Sequence, residues 1–170
     1  MDGDRRQSMR VSTRLPCEWQ LVDDILSATQ LQDVFNLPPG ASVAAALFEL
    51  SAALDNTLEN IQDLHIRHAI SIVNEKIDLL APAGHHPDPL PVKHLGLSHD
   101  GMQFVVNQEL AVDQIVAVHL LLEDKLSFLQ CGSVTRCCAV AAGFEVGLTF
   151  SDMSASNSKR LARQVMRTRR

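Results

Sequence analysis

Hydrophobic spacing divides the chain into a strand-like start, a long helix-like middle and a run of strands. Residues 11–22, VSTRLPCEWQLV, mix β-branched and apolar residues as a first strand does, with Pro16 marking an edge or a bulge. Residues 23–37 read as a short helix or an irregular connector, which Pro38-Pro39-Gly40 ends. Residues 41–80 contain neither Gly nor Pro. Within them Leu47, Leu50, Leu54, Ile61 and Leu64 follow a spacing of three and four, with Thr57 in the gap. Ile66, Ile70, Val73, Ile77 and Leu80 repeat that pattern, displaced by two residues. A continuous helix of this span is about 60 Å long. It is either one amphipathic helix packed on its own domain or a helix that self-associates. Its length favours self-association, with partners on more than one face.

Residues 82–91, PAGHHPDPLP, form a stiff loop or linker. Strand patterns follow. VKHLGLS and MQFVV flank the polar break His99-Asp100-Gly101, and QIVAVHLLL is a buried strand candidate that ends at Glu123-Asp124-Lys125. LSFLQCGSVTRCCAV reads as a long strand with a bulge expected at Gly132, and Phe144, Val146, Leu148 and Phe150 alternate cleanly. Several antiparallel strands at short spacing predict a small barrel or a curved sheet. Ser154 or Ser156 caps a final basic helix of about twelve residues.

Composition narrows the function classes. With 46% apolar and 21% charged residues the chain has ordinary globular usage, which excludes a disordered or collagen-like chain. Its apolar runs fall short of the ~20 residues that span a bilayer, and MDGDRRQSMR lacks a signal-peptide core. A cytoplasmic address without a membrane span is expected. Cys17, Cys131, Cys137 and Cys138 form no CxxC pair and are expected to be reduced thiols. The formal net charge is −5, yet ten of fifteen basic residues lie in the first 14 and last 12 positions. Such basic ends beside an acidic 41–80 segment are either solvated charge or an anion-seeking surface. The negative total charge and the absence of helix-turn-helix or zinc-finger spacing argue against DNA.

Catalysis finds no support in the motifs. Walker A, HExxH, DxDxDG and paired zinc spacings are absent. Gly96-Leu-Ser98-His-Asp-Gly101 is one residue too long for a GxSxG elbow. His65 and His68 stand three apart without a third ligand, and His85 and His86 sit in the Pro-rich loop, so no metal or cofactor is expected. What remains is Arg6-Gln7-Ser8-Met9-Arg10, with Ser98 and Gly101 far down the chain. Two arginines four apart in an arm can close on phosphate oxygens or stack on guanine. A Ser-x-x-Gly turn at a strand end offers a hydroxyl and exposed N–H groups.

In this order the motifs resemble those of the PilZ domain family: RxxxR before the first strand at Arg6 and Arg10, and (D/N)xSxxG between two strands at Ser98 and Gly101. Gly132-Ser-Val-Thr-Arg136 and Gly143–Phe150 are similar to the family's last two strands. The resemblance spans roughly residues 5–22 and 90–168. It implies an α+β fold: a six-stranded antiparallel PilZ-type β-barrel with a long inserted heptad helix and a C-terminal helix. The expected divisions are 1–22 for the arginine arm and first strand, 23–81 for the helical insert with its oligomerisation helix at about 41–81, 82–91 for the loop, and 92–170 for the remaining barrel and basic helix.

The same resemblance implies a bacterial, non-enzymatic receptor for cyclic di-GMP. Arg6 and Arg10, with Arg5 as an extra contact, would wrap the ligand, and Ser98 and Gly101 would hold a guanine from the barrel side. Gly96 stands where the family has Asp or Asn. Losing that hydrogen bond costs on the order of 1.5–3 kcal/mol, which backbone, water or Asp100 would offset in part. The insert is similar to that of a PilZ subgroup whose heptad helix forms an oligomer, in known cases a tetramer, with a dimer as the alternative. Some members of that subgroup are thought not to bind the nucleotide. Two functions follow: a cyclic di-GMP effector acting through an oligomeric scaffold on motility, biofilm or virulence partners, or an oligomeric adaptor working through protein–protein contacts alone.

Overall fold

The computed structural model describes residues 10–37, 50, 54, 57, 58, 60–80, 89–123 and 127–169, with backbone alone at 74–80 and 156. Six strands are described: β1 (Val11–Val22), β2 (Val92–Leu97), β3 (Gly101–Val106), β4 (Ile115–Leu121), β5 (Ser127–Val140) and β6 (Gly143–Phe150). They close into an antiparallel barrel in the order β1-β2-β3-β6-β5-β4. Helices α1 (Ala28–Val34), α2 (Leu64–Leu80) and α3 (Ala155–Thr168) accompany them, and residues 50, 54, 57 and 58 are also helical.

Closure follows from β1, which changes partner midway. Val11 to Pro16 pair with β2, and Cys17 to Val22 pair with β4. Pro16 sits at that handover, where its missing N–H interrupts neither ladder, and Cys17 N–H donates to Pro91 O at 2.9 Å. Alternation fills the interior with Leu15, Cys17, Leu95, Leu97, Met102, Phe104, Val118, Leu120, Phe128, Val134, Val146 and Leu148. Trp19 packs its ring 5.8 Å from Phe104, and Phe128 meets Phe150 edge-on at 5.4 Å.

Strand β4 is buried on both faces, which explains why its sequence is apolar but for His119. Its outward Ala117 joins Cys131, Leu31 and Phe35 in a second cluster beneath α1. Helix α1 starts with a capping box, Ser27 and Gln30 satisfying each other's backbone N–H. His119, also outward and fully buried, lies 2.9 Å from both Glu18 Oε1 and Ser127 Oγ, under the ring of Phe35. Ser154 caps α3 through Asn157 N–H. Leu161 and Val165 of α3 complete the barrel core, and Arg160 donates to Ser127 O at 3.1 Å.

Two local expectations are corrected. The expected bulge at Gly132 lies instead between Val134 and Arg136. Gly132 serves close packing, since a Cβ there would stand 2.9 Å from Thr149 O. The single helix through 41–80 is interrupted: residues 61–63 are not helical and α2 begins afresh at Leu64. Asp63 causes the restart. Its Oδ1 accepts from His65 N (2.9 Å) and Ile66 N (3.2 Å), and its carbonyl accepts from Arg67 N (3.0 Å).

Candidate functional site

The β2–β3 connection is built by the Ser98-x-x-Gly101 motif. Ser98 N–H donates to Gly101 O at 3.0 Å and closes the turn. The hydroxyl of Ser98 donates to Asp100 Oδ1 at 2.7 Å and lies 3.2 Å from Gly101 O. Ser98 is only 2% exposed. Asp100 is thereby engaged with its neighbour, and its carbonyl accepts from Phe150 N–H at 2.8 Å. Gly101 is required by packing: a Cβ would fall 2.1 Å from Leu148 O of β6. These residues shape the turn that anchors β3 against β6.

The neighbouring outer face of the barrel is open and polar. Strand register places Ser12, Gly96, Gln103, Gly147 and Arg136 in one row across β1, β2, β3, β6 and β5. Gly96 and Gly147 flank Gln103 and leave a shallow bed on either side of it. A pocket of about 350 Å³ lies here, lined by residues including Arg10, Ser12, His94, Gly96, Gln103 and Glu145. Arg10, one step beyond the Val11–Leu97 pair, donates from Nη1 to Gln103 Oε1 at 2.8 Å. Arg136 donates from Nη2 to the same oxygen at 3.2 Å and to Glu145 Oε1 at 3.0 Å. Two guanidinium groups from opposite ends of the row thus converge on one neutral amide oxygen.

The bulge puts Arg136 there. Val134 pairs with Leu148, both inside the barrel. Without the extra residue Arg136 would oppose the buried Val146. With it, Arg136 opposes Gly147 and points outward, while Cys137 turns toward the core. Thr135 Oγ1 donates to Gly147 O at 3.1 Å and fixes the irregularity.

Of the sequence-predicted site residues, Arg10 and Gly96 line the pocket, and Ser98 and Gly101 form the adjoining turn. Arg5 and Arg6 lie outside the described residues. Gln103, Arg136 and Glu145 were missed as site residues. Gln103 carries no motif, and Arg136 needs the position of the bulge before its face is known. His65 and His68 are exposed on α2, and no group of three metal-ligating side chains occurs among the described residues. The four thiols are free. Burial pushes the Cys17 thiol up to about 12, with the Lys93 ammonium opposing and Glu18 adding to the rise. Burial also raises Cys131, against a hydrogen bond from Leu26 N–H. Neither thiol is poised for redox chemistry.

The family model for the PilZ domain matches residues 65–167, and the chain belongs to the PilZ domain family, a family of cyclic di-GMP receptors. Among solved structures, the fold is similar to that of a pathogenic protein from Xanthomonas campestris, described as a tetrameric PilZ domain self-assembled via an unusual helical bundle. The TM-score is 0.56 at 15% identity, over 96% of this chain and 89% of that one. No curated protein matches. No helix among the described residues is long and apolar enough to cross a membrane.

Proposed function

We propose that the chain is a cyclic di-GMP receptor that works as an oligomer. The observation that carries this reading is the convergence of Arg10 and Arg136 on Gln103 Oε1 above the pocket. Among the described residues Arg10 has no carboxylate partner, so a phosphate oxygen is a better acceptor than the amide it now holds. The ligand is a dianion, which suits a locally cationic face on a chain of net charge −5. Arg6 and Arg5, upstream of Arg10, extend the same arm. Ligand binding changes the surface around Arg10, and that changed surface is what a protein partner reads.

A second reading, an adaptor that oligomerises without the nucleotide, draws on Gly96 and on α2. Helix α2 leaves Leu64 (73%), Ile66 (52%) and Val73 (55%) exposed, more apolar surface than a helix facing only water retains. The solved neighbour assembles through a helical bundle, and α2 is the corresponding candidate here. Both readings share the oligomer and differ in the ligand.

Calorimetric titration with cyclic di-GMP separates them. The first reading expects saturable binding in the wild type that Arg10→Ala weakens by about tenfold or more. Equal affinity in the two proteins would remove Arg10 from the site.

A further inference from the structure

We propose that Gln103 is the base-reading residue of this site, in place of the side chain that Gly96 lacks, and that Arg136 is a phosphate-binding cation whose departure sets Gln103 free. The proposal rests on the cyclic di-GMP reading above.

Three placements lead to it. Gln103 is the direct cross-strand partner of Gly96, so its side chain rises from the same bed. A Cβ on Gly96 would be 3.4 Å from Gln103 Cβ and 4.0 Å from Gln103 Oε1. Side chains at 96 and 103 therefore address the same space. Oε1 accepts from both Arg10 and Arg136, and the Arg136 side chain reaches it across Gly147, where a Cβ would lie 3.9 Å from Arg136 Nε. Glu145 steadies Arg136 at 3.0 Å from the outer side.

Binding is then an exchange. The guanidinium groups of Arg10 and Arg136 leave a neutral oxygen for charged phosphate oxygens, a stronger class of hydrogen bond. The released carboxamide accepts from guanine N1–H and donates to guanine O6. A glutamate at 103 would act in the opposite direction, because a carboxylate would hold both arginines in salt bridges and keep the site closed.

The test is a double-mutant cycle on the full-length chain, read by calorimetry with cyclic di-GMP, with thermal unfolding as the control for folding. Gln103→Ala should weaken binding about tenfold or more with an unchanged melting temperature, and Gln103→Glu should weaken it at least as much. Gly96→Asn, which supplies an amide and gives the arginines no carboxylate, is the second arm of the cycle. In the Gln103→Ala background it should restore most of the loss, a non-additivity that marks a shared role. Arg136→Gln should weaken binding and flatten its salt dependence. Wild-type binding that Gln103→Ala leaves intact would overturn the proposal and leave the receptor reading standing. So would a loss that Gly96→Asn does not restore, which would make Gln103 a mere holder of the arginines. Wild-type protein that binds no cyclic di-GMP would remove the proposal and the receptor reading together.

Discussion

Two glycines five residues apart do opposite work. At Gly101 the chain closes on itself: backbone of β6 occupies the place of a Cβ, and Ser98 and Asp100 spend their polar groups on each other. At Gly96 the chain is open: a Cβ has ordinary room, and the surrounding polar groups are Arg10, Gln103, Arg136 and Glu145. The short motif that spans both is therefore a scaffold at one end and, in the function proposed above, a ligand surface at the other. Mutations in the two regions should separate cleanly into losses of stability and losses of affinity.

The largest effect is expected at Gly101. Gly101→Ala drives a methyl group into Leu148 O and should cost about 3 kcal/mol or more, measured by denaturant unfolding. Gly96→Ala should cost less than about 1 kcal/mol, as strand backbone with space above it allows. If both alanines destabilise equally, the division between scaffold and surface fails.

Ser98→Ala comes next. It removes the hydroxyl that Asp100 accepts and should cost about 1–3 kcal/mol of stability. Its effect on ligand affinity should follow from that loss of folded protein alone. Arg10→Ala and Arg136→Ala should do the reverse, lowering affinity about tenfold while melting shifts by only about 2 °C or less, because both side chains lie on the outer face.

A smaller contrast concerns the thiols. Cys138 is exposed, whereas Cys17 and Cys131 are buried. A thiol reagent at pH 8 should label Cys138 rapidly and reach Cys17 only on unfolding. The raised Cys17 value also carries a sign: the folded state favours the neutral thiol. Its contribution is full below pH 9 and is lost as pH rises from 9 toward about 12. Destabilisation in that window should be smaller in Cys17→Ser when each protein is compared with its own stability at pH 8.

Most of the barrel was legible in the chain because alternation reports which face of a strand is buried. Phe144, Val146, Leu148 and Phe150 gave β6, and the doubly buried β4 appeared as an apolar run interrupted by His119. The break before Leu64 was missed: the offset between the heptad stripes read as partners on more than one face of one helix, and the capping role of Asp63 shows only in its hydrogen bonds. The absence of Gly and Pro and the heptad spacing had suggested continuity. The site was legible only in part. Arg10 and Gly96 stood in a motif. Gln103 looks like any outward strand residue, and its role depends on the register that puts it opposite Gly96. Arg136 lay on the wrong face in any unbulged alternation. A single inserted residue near Thr135 reverses that face, and no residue type there announces it.

We propose that the open face around Gly96 and Gln103 takes cyclic di-GMP. The most direct test is calorimetric titration of the wild type and Arg10→Ala, repeated by equilibrium dialysis because binding heat can vanish by compensation. The account predicts saturable binding in the wild type and a loss of about tenfold or more in the variant, at equal thermal stability. No binding by either method up to about several hundred micromolar ligand would contradict it and leave an oligomeric adaptor.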